Sequence, residues 1–168
     1  LQFDGVNDYI SSPSGLPQTT LPVEYYFGIV MRLNSWAAAS KVIMEWNNGG
    51  TFLGVISSFS ANQIGSSWGS DKVNVPLGTW FYFLYKGVQT ASSDSAGYVE
   101  TTTWGNYNGS WINNYPMTTG QYVNTISIGA WTDTSNPSQI DVAEIFYVDA
   151  YQCLLSDVQL YINNKFGL

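Results

Sequence analysis

Along most of this chain, apolar and aromatic positions come in short runs broken by Gly, Pro, Asn and Ser, and within the runs they alternate with a period of two. That period is the signature of strands with one face buried. Leu1 and Phe3 fall on one side of the opening stretch, with Gln2 and Asp4 on the other, before Gly5 turns it. Tyr9 and Ile10 begin a second short extended piece. "VEYYFGIVMRL" reads as a central strand, since β-branched and aromatic residues suit a pleated, buried surface. "KVIMEW" and "TFLGVIS" follow, joined by "NNGG", a strong hairpin signal. A short strand is expected within "FSANQIGSSW", ending near Trp68. "LGTWFYFLYKG" is expected to be a long strand with Trp80, Tyr82 and Leu84 on one face and Phe81, Phe83 and Tyr85 on the other, so that both faces are covered. "AGYVETTTWG" and "TISIGAW" read as further strands. "TASSDSAG" reads as a hairpin loop and "NYNGSWINNYPMTTGQY" as a long loop region.

The last thirty residues change period. A strand over Ile140 to Val148 gives way to a helix expected from Asp157 to about Lys165, with Ser156 as N-cap, Gln159 completing a capping box and Gly167 as C-cap. Leu155 and Leu160 would form the hydrophobic staple. Leu155, Val158, Ile162 and Phe166 recur at helical spacing and would dock the helix on a sheet. Many strands, turn-rich joints, one terminal helix and no repeated strand–helix unit predict an all-β, two-sheet antiparallel jelly-roll sandwich. The opening strand is expected beside the strand around Ile140 to Phe146.

Composition narrows the function. The 168 residues suit one domain, residues 1–168, with a sizeable core. A formal charge of −7 lacks the basic footprint of a nucleic-acid binder. With no histidine, the usual neutral-pH proton shuttle and the commonest transition-metal ligand are missing, and neither a serine nor a cysteine nucleophile has an imidazole to activate it. The single cysteine, Cys153, leaves no internal disulfide and reads as a buried thiol. No apolar run reaches membrane-spanning length. The polar, weakly charged surface fits an extracellular, cell-surface or virion setting, and the start at Leu1 fits a piece of a larger protein.

Two stretches, "LQFDGVNDYI" and "DVAEIFYVDAYQCLLSDVQLYINNKFGL", resemble the opening and closing signatures of the concanavalin A-like lectin/glucanase superfamily, nearest its laminin-G-like, pentraxin-related branch. "GTWFYFLYK" is similar to a central strand of that family. The resemblance implies the sandwich fold and a range of roles, from sugar, calcium-dependent and peptide binders to structural modules.

Candidate chemistry lies in four places. "QIDVAEIF" looks partly like the glucanase signature, in which two glutamates flank an aspartate. Here the first position is Gln139, and Asp141 and Glu144 have odd separation, so on a regular strand they point to opposite faces. Asp71, Asp94, Glu100 and Asp133 are scattered, with no spacing that pairs them. Glu144 reads as a structural carboxylate accepting hydrogen bonds from a loop such as Asp4 to Asp8. In "FDGVNDY", Asp4, Asn7 and Asp8 offer hard oxygen ligands that calcium would accept, although the same residue types cap turns through their own backbone. The densest aromatic–amide cluster is "WGNYNGSWINNYP": Trp104, Asn106, Tyr107, Asn108, Trp111, Asn113, Asn114 and Tyr115. Aromatic rings stack on the C–H faces of pyranoses while amides bind hydroxyls, so this cluster is the candidate saccharide site; the alternative is that Trp104 and Trp111 fold back as lids over the core. Trp36, Trp46 and Trp68 are secondary candidates. Asn108 to Ser110 is a formal N-glycosylation acceptor. The expectation is a non-catalytic carbohydrate-binding or adhesion module taking a neutral saccharide or glycoprotein, without nucleic acid or membrane insertion. The alternative is a structural or assembly domain of a fibre or capsid that self-associates or packs on neighbouring domains.

Overall fold

The computed structural model describes residues 1–11, 19–20, 24–35, 41–48, 51–59, 63–66, 72–91, 99–107, 110–119, 122–123, 125–130, 138–150 and 152–168. In chain order the strands are β1 (Gln2–Asp4), β2 (Ile10–Ser11), β3 (Thr19–Thr20), β4 (Glu24–Leu33), β5 (Lys41–Asn48), β6 (Thr51–Phe59) and β7 (Gln63–Ser66). They continue with β8 (Lys72–Asn74), β9 (Phe81–Ala91), β10 (Val99–Tyr107), β11 (Ser110–Thr119), β12 (Tyr122–Val123), β13 (Thr125–Ile128) and β14 (Gln139–Asp149), and helix α1 (Leu155–Phe166) closes the chain.

The strands form an antiparallel sandwich. One six-stranded sheet has the order β1-β14-β4-β9-β10-β11, the other β2-β13-β5-β6-β7-β8, and β3 pairs with β12 apart from them. The first strand lies against the last, with Phe3 opposite Ile140, as the alternation at both ends predicts. Alternation also decides the layers. Phe27, Ile29, Met31 and Leu33 of β4 and Phe81 and Phe83 of β9 point inward and meet Ile43, Met44, Ile64 and Ile128 of the other sheet. The opposite faces of the same strands are apolar too. Tyr26, Val30, Tyr82 and Leu84 form a second core under Val158 and Ile162 of α1, with Trp80 and Phe146 packed beside them. The large residues on both sides of β9 thus have two separate jobs: one row fills the sandwich and the other seats the helix. Gly28 of β4 makes room here, because a Cβ at that position would run into the ring of Phe146.

Two sequence expectations change. The helix begins at Leu155 with Leu154, not Ser156, at the N-cap position. The Asp157 carboxylate, rather than Gln159, accepts the Leu154 N–H at 3.2 Å and so draws the start back. Leu160 is 59% exposed and plays no staple role, while Val158 of the second core and Cys153, half-buried against it rather than fully buried as expected, take the flanking positions. The Gly167 cap holds: its φ is 71° and its N–H donates to Asn163 O at 2.8 Å. The second change is larger. The segment expected as a loop from Asn106 onward is the end of β10 and the ten residues of β11, paired as an antiparallel hairpin.

Candidate functional site

The hairpin β10–β11 forms one margin of its sheet. Its register sets Trp104 opposite Asn114, Asn106 opposite Trp111 and Tyr107 opposite Ser110. The pairing skips Asn113, which occupies a bulge between the Trp104 and Gly105 positions. Toward the sheet interior, Asn106 pairs with Leu84 and Tyr107 with Phe83 of β9. Cross-strand partners share a face. Leu84 belongs to the core under α1, so the Trp104, Asn106 and Trp111 positions fall on the helix-bearing face. Phe83 belongs to the sandwich interior, and so does the position of Tyr107. The Tyr107 ring meets Phe81 at 5.4 Å between centroids, and burial pushes its hydroxyl pKa up. Tyr115 pairs with Thr103, at the same parity as Tyr107. The register therefore brings four of the candidate positions, Trp104, Asn106, Trp111 and Asn114, to one face and sets the two tyrosines apart from them. Asn108, Trp36, Trp68, Asp71, Asp94 and Asp133 lie outside the described residues.

The Asp4 to Asp8 turn is held by its own backbone. Asp4 Oδ1 accepts the N–H of Val6 at 2.7 Å and of Asn7 at 3.4 Å, and Asp8 Oδ2 accepts the N–H of Asp4 at 3.0 Å. Gly5 takes φ +77° beside Gln139. These are the bonds of an Asx-type turn, and they engage carboxylate oxygens that a calcium ion would need. Among the described residues, no group of three His, Cys, Asp or Glu side chains could hold a metal ion.

One oxygen of each β14 carboxylate is committed as well, Asp141 Oδ2 and Glu144 Oε1, while Asp141 Oδ1 and Glu144 Oε2 are buried with no hydrogen bond among the described residues. A bulge between Val142 and Glu144 resets the alternation. Asp141 therefore pairs with Arg32 and Glu144 with Val30, two positions of equal parity. Both acids thus stand on the helix-bearing face, and the odd-separation rule for a regular strand does not apply. Asp141 is 7% exposed, and its Oδ2 accepts Arg32 Nε at 2.6 Å while the guanidinium lies 5.2 Å over the Trp80 ring. Glu144 Oε1 accepts Tyr161 Oη at 2.7 Å and Lys165 Nζ at 2.9 Å, and Lys165 also donates to Tyr161 Oη at 2.7 Å. The partners of Glu144 are on the helix, not on the Asp4 to Asp8 turn. Burial alone would raise its pKa, but the hydrogen bonds from Tyr161 and Lys165 and the Lys165 charge together hold it below the usual range.

No protein-family model matches the chain, and none of the curated proteins matches it in sequence. Solved structures do match in fold. Trypanosoma rangeli sialidase in complex with sialic acid aligns with a TM-score of 0.63 at 9% identity, over 98% of this chain and 28% of that one. Domains LG4-5 of the mouse laminin alpha1 chain align with a TM-score of 0.55 at 11% identity, over 87% of this chain and 41% of theirs. The chain is thus a β-sandwich with a loose likeness in fold to these structures, and it spans well under half their length. At such identities the likeness is one of fold, and function has to be argued from the site.

Proposed function

We propose that this domain is a non-catalytic carbohydrate-binding module that takes a neutral saccharide on the helix-bearing face of the β10–β11 hairpin. The observation that carries the reading is the register: Asn106 stands opposite Trp111, with Trp104 at the next position of the same parity. A strip of alternating indole and amide positions on a sheet margin is what a shallow sugar site needs, with rings for the pyranose faces and amides for the hydroxyls. The acidic balance of the chain favours a neutral ligand over an acidic polysaccharide.

A glycan array run with and without calcium, followed by titration of Trp104→Ala and Trp111→Ala, tests the proposal. The expected result is binding to neutral glycans, weakened at least tenfold by one of the two substitutions, with the unfolding midpoint unchanged. Failure of the native chain to bind any glycan, together with strong destabilisation by both substitutions, would overturn it. One observation favours a second reading, an assembly domain. Among the described residues, β11 is a ten-residue strand at the margin of its sheet, a place where another chain can add a strand. Dissociation of an oligomer by the same substitutions, seen in sedimentation, would support that reading instead.

A further inference from the structure

Helix α1 does not cover its whole sheet. On one flank, Tyr161 and Lys165 reach Glu144 on β14. On the other, Gln159 Nε2 donates to Tyr82 Oη on β9 at 3.4 Å. The helix therefore spans from β14 across β4 to β9, and the sheet continues past it by two strands, β10 and β11. Strands are spaced 4.7–4.9 Å apart, so the margin beyond the helix is about 10 Å wide, and a helix standing beside it makes a wall of similar height. The Trp104, Asn106 and Trp111 positions fall on this margin, on the same face as the helix.

The wall has its own chemistry. Leu155 lies one turn before Gln159 on the same flank and is partly buried against the second core. Gln159 is half-buried, and its long bond to Tyr82 uses one amide hydrogen. The second amide hydrogen and the carbonyl oxygen make no hydrogen bond among the described residues. An amide beside those hairpin positions can donate to one sugar hydroxyl and accept from another.

We infer that the saccharide site is a step rather than a flat surface. Its floor is the β10–β11 hairpin, its wall is the β9-side flank of α1, and Gln159 is a specificity-determining residue that reads hydroxyls on the inner edge of the sugar. This inference rests on the saccharide-binding reading above and adds the wall to it. The step runs along the strands, because the helix follows them from the Asp149 end of β14 toward Glu144. It accepts one saccharide chain in single file, ring faces on the hairpin and one row of hydroxyls against the helix.

Titration of the isotope-labelled chain with neutral trisaccharides of glucose, galactose and mannose, followed by NMR, tests the geometry. The ligand that binds should shift the Gln159 side-chain amide and the backbone of Leu155 and Gln159, and leave Tyr161 and Lys165 in place. Gln159→Leu should weaken binding about threefold to tenfold, the range of one or two neutral hydrogen bonds. Asn164→Ala, an exposed helix substitution away from this flank, should leave it unchanged. Binding that is lost in Trp111→Ala but moves neither the Gln159 amide nor the affinity of Gln159→Leu would overturn the step and leave the hairpin site standing. Binding of none of the trisaccharides would overturn both.

Discussion

Glu144 sits at the point where the last strand and the helix meet, and its neighbours hold its pKa down. Tyr161 and Lys165, four residues apart on α1, close a triangle with its Oε1. The Lys165 pKa is raised, first by its bond to Tyr161 and then by Glu144. Because the folded pKa of Glu144 is depressed, its contribution is fully present above the unfolded carboxylate pKa and is lost as pH falls through the folded value. Lys165 works in the opposite sense, its contribution being lost only as pH rises through its raised value. Acid titration should therefore loosen the helix first, visible as faster amide exchange at Val158 and Ile162. In Glu144→Gln that acid step should disappear, and exchange at neutral pH should already be faster. An unchanged acid limb in the variant would remove Glu144 from this role. Gly28 gives a sharper steric case. Gly28→Ala must push the Phe146 ring off β4, and a cost of about 1–3 kcal/mol on chemical denaturation is expected.

Within the elements, the helix shows which parts of the sequence reading were legible and why others were not. Val158, Ile162 and Phe166 recur at helical spacing, and that spacing correctly picks the docking face. Ser156 is a good cap by type, whereas the start of the helix rests on whether Asp157 can reach the Leu154 N–H. Moving the cap by two residues moves the staple, and Leu160 passes to the solvent side. Ile162→Ala should cost about 2–5 kcal/mol, as for other buried apolar truncations, while Leu160→Ala should stay within about 0.5 kcal/mol. Equal losses in urea unfolding would restore Leu160 to the core. The hairpin was hidden by its composition. Asn, Gly, Ser and Pro over residues 106–122 read as loop, yet a marginal strand pairs on one side and tolerates them; Pro116 sits opposite Thr102 in register. The candidate residues were visible by type. Their division between two faces was not, because it depends on the partner strand and on the bulge at Asn113.

At the scale of the whole molecule, the sandwich brings the chain's first and last strands together and lays its last helix over its longest strands. That arrangement bears on catalysis. The bulge in β14 places Asp141 and Glu144 on one face, two positions apart along β4, so their residue types and parity alone would admit a carboxylate pair. Their surroundings argue against it. Asp141 is buried and bound to Arg32, Glu144 is bound by Tyr161 and Lys165, and the face they share is the one on which the helix packs. Gln139, on the same strand, supplies no carboxylate. A general acid needs access to the glycosidic oxygen and a pKa raised toward the working pH, whereas that of Glu144 is lowered. The expected outcome of a sensitive reducing-end assay on β-glucans, galactans and host-type glycans is therefore no turnover above buffer. Turnover that vanishes in Glu144→Gln, with the unfolding midpoint held, would show that the triangle opens to substrate and would make the domain a hydrolase. Turnover that survives Glu144→Gln and Asp141→Asn alike, through repeated purification, would place the chemistry on other residues and equally end the non-catalytic reading.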